Sequence, residues 1–290
     1  MKYGLCYHKQ TMNIGDDIWA VATSAFLPHI DYLIDYSEIA KFHSNDGEAV
    51  ATIISGVPII DTNKIPWIPS ADIIPYFTST CFHRQYTEYL NSDFMKNYFR
   101  MYQPIGSRDK NTVDIMNNST IDAYFSGCVT MTMRNSIKCE QERKQVILVD
   151  VPLDIMKNIW AYKPVLRQNG LSVKIHSHYN KDIPNMTWNE RTKLCEDSLK
   201  LYANAHCVIT SRLHVALPCL ALGTPVLIVK PRWDVGDVNH SRFIPFNSLV
   251  RFCFVDEFLE GKSEFNMINP TPNSDKFTVY RDKITSDLTN

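Results

Sequence analysis

Residues Cys207–Val229 read CVITSRLHVALPCLALGTPVLIV, and their order of residue types decides the fold class. An apolar β-type run, Cys207–Thr210, gives way at Ser211-Arg212 to a helix-forming stretch. That stretch closes on Gly223-Thr224-Pro225 and opens a second apolar run, Val226–Val229. Strand, turn, helix, turn, strand is the unit of a parallel sheet. Ligands of such sheets sit beyond the carboxyl ends of the strands, where the next helix N-terminus favours anions. Arg212 falls at that point with a permanent charge and a fork suited to carboxylate or phosphate. His214 follows two residues later as a group able to exchange a proton near neutral pH. The plain structural alternative is an Arg that caps a carbonyl and a hydrogen-bonded, half-buried His. Pro218, placed in a first helical turn, sets the helix start near His214 or Val215.

Working outward, the same alternation covers the chain. Tyr3–His8 reads as a first strand, then a polar loop from Lys9 to Asp16, then Ile18, Val21, Ala22 and Ala25 on one helical face. Ile30–Tyr36 and Ala49–Ile54 are further strands, and the Pro-rich stretch Gly56 to Pro75 reads as loop. Asp93–Met101 and Asp109–Met116 are helices, and Ile105 and Ile121–Phe125 are strands. The charged stretch Ser136 to Lys144 is the linker candidate. Beyond it come strand Gln145–Val151, helix Ile155–Leu166 and strand Ser172–His176. A helix then opens on the capping box Thr187-Trp188-Asn189-Glu190 and carries Cys195, Leu199 and Tyr202 as its apolar stripe. The expected architecture is α/β, two Rossmann-like domains facing a cleft, at residues 1–138 and 139–290, with the tail free to pack back on the first domain. The last 20 or so residues read as weakly ordered.

Composition narrows the function. The chain has 290 residues, with Lys plus Arg at 30 against 31 for Asp plus Glu, so it offers no general field for nucleic acid. The longest apolar run, Val215 to Val229, is 15 residues broken by Pro218, Gly223 and Pro225, against the about 20 needed to span a bilayer. Eight cysteines without a CxxC pair point to buried, reduced thiols rather than a metal or disulfide framework. No apolar leader precedes the first strand, and the expected location is the cytoplasm, with room for peripheral association at the inner face of the membrane.

Two further loops repeat the strand-end logic. Asn13-Ile14-Gly15-Asp16-Asp17 follows the first strand: Gly15 permits close backbone approach, and the carboxylates can accept bonds from sugar hydroxyls. Asp16 serves equally well as a helix cap, one residue before the helix. Ile105-Gly106-Ser107-Arg108-Asp109 places Arg108 before another helix. Two arginines from separate strand ends, facing one cleft, suit a small ligand with both phosphate and carboxylate. Weaker candidates are His83, after a Thr/Ser-rich run, and the HxH pair His176 and His178. That pair lacks a third ligand and reads as surface histidines. Asp31 and Asp35 read as solvated, Asp234 and Asp237 as flanking a turn at Gly236. Trp67, Tyr76, Phe77 and Phe82 read as loop packing. No metal site is expected.

With these residues in place, the chain resembles the polysaccharide pyruvyl transferase family. The matching pieces are Asn13-Ile14-Gly15-Asp16, Ser107-Arg108-Asp109, Tyr124-Phe125-Ser126-Gly127-Cys128-Val129-Thr130, and Ser211-Arg212-Leu213-His214 through Ala221-Leu222-Gly223-Thr224-Pro225. They occur in family order over roughly residues 3 to 255. An early Gly-rich stretch common in the family is reduced here to Ile54-Ser55-Gly56-Val57. The resemblance implies a GT-B-like fold and transfer of a pyruvyl group from phosphoenolpyruvate to two sugar hydroxyls, as a ketal, in surface, capsule or exopolysaccharide biosynthesis. It implies phosphoenolpyruvate as donor substrate and no other cofactor, with a sugar acceptor that includes lipid-linked oligosaccharides. Arg212, Leu213 and His214 would bind the donor with Arg108. His214, Asp16 and His83 would act in catalysis, and Asn13, Gly15, Asp16 and Asp17 would meet the acceptor. The alternatives are a GT-B glycosyltransferase using a nucleotide sugar, for which no acidic residue is placed to hold a ribose, and a non-catalytic sugar-binding member of a polysaccharide assembly complex.

Overall fold

A computed structural model describes residues 1–58, 68–135, 137, 142–232 and 243–289. Two compact units emerge from the contacts: Met1–Thr11, Asp16–Val129 and Tyr280–Asn290 form one, Met12–Gly15 and Thr130–Val279 the other. The division expected at 138/139 lies outside the described residues, as do Cys139, Trp67, Asp234, Gly236 and Asp237.

The first unit holds a six-stranded sheet built from β1 (Lys2–Tyr7), β2 (Tyr32–Asp35), β3 (Val50–Gly56), β4 (Ile73–Thr80), β5 (Ile105–Ser107) and β6 (Ala123–Phe125). Their order is β2-β1-β3-β4-β5-β6, every pair parallel. The second unit holds β7 (Gln145–Val149), β8 (Ser172–His176), β9 (Ala205–Thr210), β10 (Val226–Lys230) and β11 (Arg251–Phe254). Their order is β11-β10-β9-β7-β8, again wholly parallel. Counted from its own first strand, the second sheet runs 2-1-3-4-5 and the first runs the same way with a sixth strand added, the doubly wound pattern with a switch point between the first and third strands. Helices flank both sheets, which establishes the expected α/β, Rossmann-like class.

Local chemistry explains most elements. The helix α1 spans Ile14–Ser24, and α2 is the short Thr87–Leu90. The helix α3, Asp93–Met101, is capped by Ser92, whose hydroxyl accepts from the Met95 N–H, and it buries Met95, Tyr98 and Phe99 at helical spacing. The helix α4, Lys110–Asn118, is capped by Asp109 through the Thr112 N–H. After α5 (Leu153–Gln168), α6 (Trp188–Ala203) opens on the Thr187/Glu190 capping box, and its Cys195, Leu199 and Tyr202 stripe is buried. The helix α7 is Leu213–Ala221. Around β7, β9 and β10, Val146, Leu148, Cys207, Ile209, Leu227 and Val229 form the second unit's core with Ile155, Ile159 and Leu166 of α5.

Several expectations need correction. β4 crosses the stretch read as loop: Ile73, Pro75 and Phe77 point in while Ile74 and Tyr76 point out. Pro75 is tolerated because β5 joins β4 only at Thr80↔Ser107, so no neighbour there requires its missing N–H. Phe77 and Phe82 are therefore core residues. The helix α1 begins at Ile14, so Asp16 and Asp17 lie inside its first turn, and Asn13 acts as the cap by accepting from the Gly15 N–H at 3.1 Å. α7 begins at Leu213, with Pro218 inside it rather than in its first turn. The tail is ordered: Thr278–Thr289 is a helix whose Ile284 is fully buried. Tyr280 packs edge-on against Phe125, and Asp287 accepts from the Tyr124 hydroxyl at 3.1 Å. The seven described cysteines are buried and form no disulfide. No helix among the described residues is long and apolar enough to cross a membrane.

Candidate functional site

In the second sheet β7 and β9 are neighbours, and the chain leaves them toward opposite sides, so the carboxyl ends of these two strands form the switch point. Side chains lock the ends together. The Thr210 hydroxyl donates to the Val149 carbonyl at 3.0 Å and accepts from the Arg212 N–H at 2.9 Å. The Ser211 hydroxyl donates to the Asp150 carbonyl at 2.6 Å. Asp150 itself sits at φ +48°, a left-handed conformation uncommon outside Gly, Asn and Asp.

The Asp150 carboxylate collects three donors. Ser177 Oγ reaches Oδ1 at 2.7 Å, and the His178 N–H and Arg212 Nε reach Oδ2 at 3.1 and 3.0 Å. Burial alone would raise its pKa. The Ser177 hydroxyl, the His178 N–H and the Arg212 charge together hold it below the ordinary carboxylate value. Arg212 occupies the N-cap position of α7 in an extended conformation, with 45% of its side chain exposed. Among the described residues no protein group takes its Nη1 or Nη2, so the end of the fork points away from its tether. Leu213 is buried as the first residue of α7, and half-buried His214 follows.

The loop Met12–Gly15 joins this cluster. Ile14 N–H donates to the His178 carbonyl and Asn180 N–H to the Met12 carbonyl, both at 2.8 Å, with a bridge between Asn13 and Tyr179. A Cβ on Gly15 would lie 3.1 Å from His214 Cβ, 3.1 Å from Asn13 Oδ1 and 3.3 Å from His178 Nδ1. Any side chain there would make its neighbours give way by a few tenths of an ångström. The structure thus brings Arg212, Leu213, His214, Asn13 and Gly15 together in one unit.

His178 corrects the surface-histidine reading: it is fully buried, with Nε2 2.6 Å from the Tyr202 hydroxyl. Burial lowers its pKa to about 3, against the pull of Asp150, so the ring is neutral at ordinary pH. β8 ends at His176, so His178 lies beyond the strand, where the chain turns inward. His176 is half-buried beside Ser198 Oγ at 3.2 Å.

The remaining sequence candidates belong to the first unit. Arg108 is 2% exposed at the end of β5, its N–H bonded to the Thr80 carbonyl and its Nη1 3.9 Å from Cys128 Sγ. Asp16 accepts from the Thr11 hydroxyl at 2.7 Å, and Asp17 is buried. Half-buried His83 meets Tyr86 edge-on. At this sheet's switch point His8 lies between Trp19 and Tyr36, and burial lowers its pKa against the pull of the Asp16 and Asp35 carboxylates. Asp150, Ser177 and Tyr202 carry the second unit's network without having been singled out from the sequence. Asp150 had a readable signal, as a lone carboxylate closing an apolar strand. Among the described residues no three His, Cys, Asp or Glu side chains group as a metal site would require.

Residues 64–231 match the family model for polysaccharide pyruvyl transferase. No curated protein matches the chain significantly. Among solved structures, the crystal structure of a functionally uncharacterised protein from Klebsiella pneumoniae is similar over 88% of this chain and 92% of that one. The identity is 14% and the TM-score 0.49.

Proposed function

Because the chain belongs to the polysaccharide pyruvyl transferase family, whose model it matches over more than half its length, we propose that it transfers the pyruvyl group of phosphoenolpyruvate to two hydroxyls of a sugar, closing a ketal. The observation that supports this most is the Arg212 fork: a strand-end guanidinium tied to Asp150 by Nε, with 45% of its side chain exposed and His214 two residues on. A guanidinium edge matches the two oxygens of a carboxylate or phosphate.

The chemistry asks for little else. Protonation of the donor's methylene carbon makes the adjacent carbon electrophilic, and one sugar hydroxyl adds there. Phosphate then departs with its bonding electrons, and the second hydroxyl closes the ring. The proton taken up at carbon is balanced by those the two hydroxyls release, one of which leaves on phosphate. His214 is the group we assign to proton transfer, a role worth about 10²–10⁴-fold. Arg212 holds the anion as charge redistributes. Acceptor recognition we assign to the first unit, with Asp16 orienting a hydroxyl and Asp17 and His83 supporting it. Arg108 is the cation we assign to anion recognition within the first unit, and Asn13 and Gly15 shape the approach to His214. Lipid-linked oligosaccharides belong in the acceptor panel, and we assign the reaction to the cytoplasm.

The test is phosphate release from phosphoenolpyruvate across sugar acceptors, with the ketal methyl followed by NMR. A donor that binds only the folded chain stabilises it by about 2.7 kcal/mol at a hundredfold excess over Kd, visible as a raised Tm. Arg212→Lys keeps the charge and loses the fork. A lost charge-assisted bond is worth about 1.5–3 kcal/mol, so the variant is expected to lose about tenfold to a hundredfold in kcat/KM. Near-normal turnover in Arg212→Lys would overturn the role of the fork. Stabilisation by a nucleotide sugar and none by phosphoenolpyruvate would replace the reading with glycosyl transfer.

A further inference from the structure

We propose that Asp150 is a positioning residue for Arg212, gripping the guanidinium by Nε alone so that its Nη1–Nη2 edge is presented to the anionic donor. This rests on the assignment of the donor to Arg212.

The backbone gives the first argument. At φ +48° a glycine would be relaxed, yet the chain keeps an aspartate there. Glycine and asparagine suit that backbone as well as aspartate does, so the choice of a carboxylate at this strand end asks what the side chain does. Its carboxylate is immobilised from two sides. Ser177 Oγ holds Oδ1, the His178 N–H holds Oδ2, and Ser211 Oγ fixes the carbonyl of the same residue. Arg212 meets a carboxylate already set in place.

The hydrogen-bond pattern gives the second. An Arg and a carboxylate paired for their own sake tend to meet edge to edge through two parallel bonds. Here the guanidinium makes one bond, Nε to Oδ2 at 3.0 Å, while Ser177 Oγ holds Oδ1 and with it the plane of the carboxylate. That bond fixes the fork's direction and consumes neither terminal nitrogen. A carboxylate so close to an anion site also repels the anion, so its presence does not serve affinity. It serves alignment, which is felt in turnover.

Three variants test this. Asp150→Gly suits the backbone and removes the grip, and is expected to fold and to lose tenfold or more in kcat at saturating phosphoenolpyruvate. Its KM is expected to stay within about threefold of wild type. Asp150→Asn tolerates the same φ and still offers Oδ1 to Nε, and is expected to recover most of that loss. The Arg212 Nε–H resonance, assigned by its disappearance in Arg212→Lys, should exchange slowly in wild type and Asp150→Asn and be lost or shifted in Asp150→Gly. Wild-type kcat in a folded Asp150→Gly, or an unchanged Nε–H resonance, would overturn the proposal. If Asp150→Gly does not fold, Ser177→Ala takes its place. Without the Ser177 bond the carboxylate is free to turn and its hold on Nε slackens, so kcat should fall at least threefold; wild-type kcat there overturns the proposal equally. The resonance needs no substrate, so it reads the grip even where wild type releases no phosphate. That outcome would instead sink the transfer reading.

Discussion

Gly15→Ala probes how tightly the Met12–Gly15 loop sets His214. The added methyl would stand 3.1 Å from His214 Cβ, 3.1 Å from Asn13 Oδ1 and 3.3 Å from His178 Nδ1. Comfortable contact between carbon atoms begins at about 3.5 Å, so the neighbours must yield by roughly 0.4–0.5 Å. Overpacking costs about 1–3 kcal/mol, and alanine in a helix returns about 0.5–1 kcal/mol over glycine. The net loss is therefore roughly 0–2.5 kcal/mol, or a Tm lower by less than about 10 °C. If a 1 Å misplacement costs about a hundredfold in rate, a shift of 0.4–0.5 Å costs roughly sixfold to tenfold. The assay is phosphate release at saturating phosphoenolpyruvate, with a thermal melt of the same preparation. Unchanged turnover would refute the reasoning, because it would mean that the loop exerts no hold on His214. A Tm lowered well beyond 10 °C would refute it too, since the damage would then be to packing and not to alignment.

Two other outcomes are expected. In the unfolded chain an imidazole takes up its proton near pH 6.5, whereas folded His178 does so only at about 3. Between those values the unfolded state binds more protons. The His178 contribution is therefore complete above about pH 6.5 and lost as pH falls, by at most about 1.4 kcal/mol per pH unit, and His8 and His176, lowered in the same direction, add to it. Urea unfolding at about pH 7.5 and 5.5 should show that slope in wild type and a shallower one in His178→Gln; equal slopes would remove His178 as its source. In the C-terminal helix, Ile284→Ala should cost about 2–5 kcal/mol, because the side chain is fully buried. An unchanged melt would show that this helix adds nothing to the first unit.

Elements were legible where a local signal fixed them. Thr187 with Glu190 gave the start of α6, and Asp93–Met101, read as helix, is α3, where Ser92 proves to be the cap. They were lost where tertiary context overrode the signal. Pro75 disguised β4, whose place in the sheet is acceptable only because β5 is short. The C-terminal helix buries a single residue, Ile284, so it has no stripe for periodicity to find. Asp16 looked like a cap, but Asn13, three residues earlier, binds the Gly15 N–H. Of the site, Arg212 and His214 could be read because strand, turn and helix follow one another in sequence. Asp150 showed in sequence only as a carboxylate closing an apolar strand, and its partnership with Arg212 and the burial of His178 arise through the pairing of β7 with both β8 and β9.

That pairing also distinguishes the two units. Both sheets share one strand order, so the residue after the first strand of each, His8 in one and Asp150 in the other, stands at a switch point. The first unit fills its own. His8 lies 8% exposed between Trp19 and Tyr36, and Trp19 presses so close to Gly56 that a Cβ there would meet the indole at 2.7 Å. The second unit spends the equivalent position on a carboxylate whose partner is an arginine with 45% of its side chain exposed. The same order with opposite filling at the two switch points supports the proposed assignment of the anionic donor to the end of β9, and makes the His8 position one that serves packing. Trp19→Ala separates the two roles: it should lower the melt by an amount in the about 3–5 kcal/mol range for a buried aromatic, yet leave the Arg212 Nε–H resonance where it was.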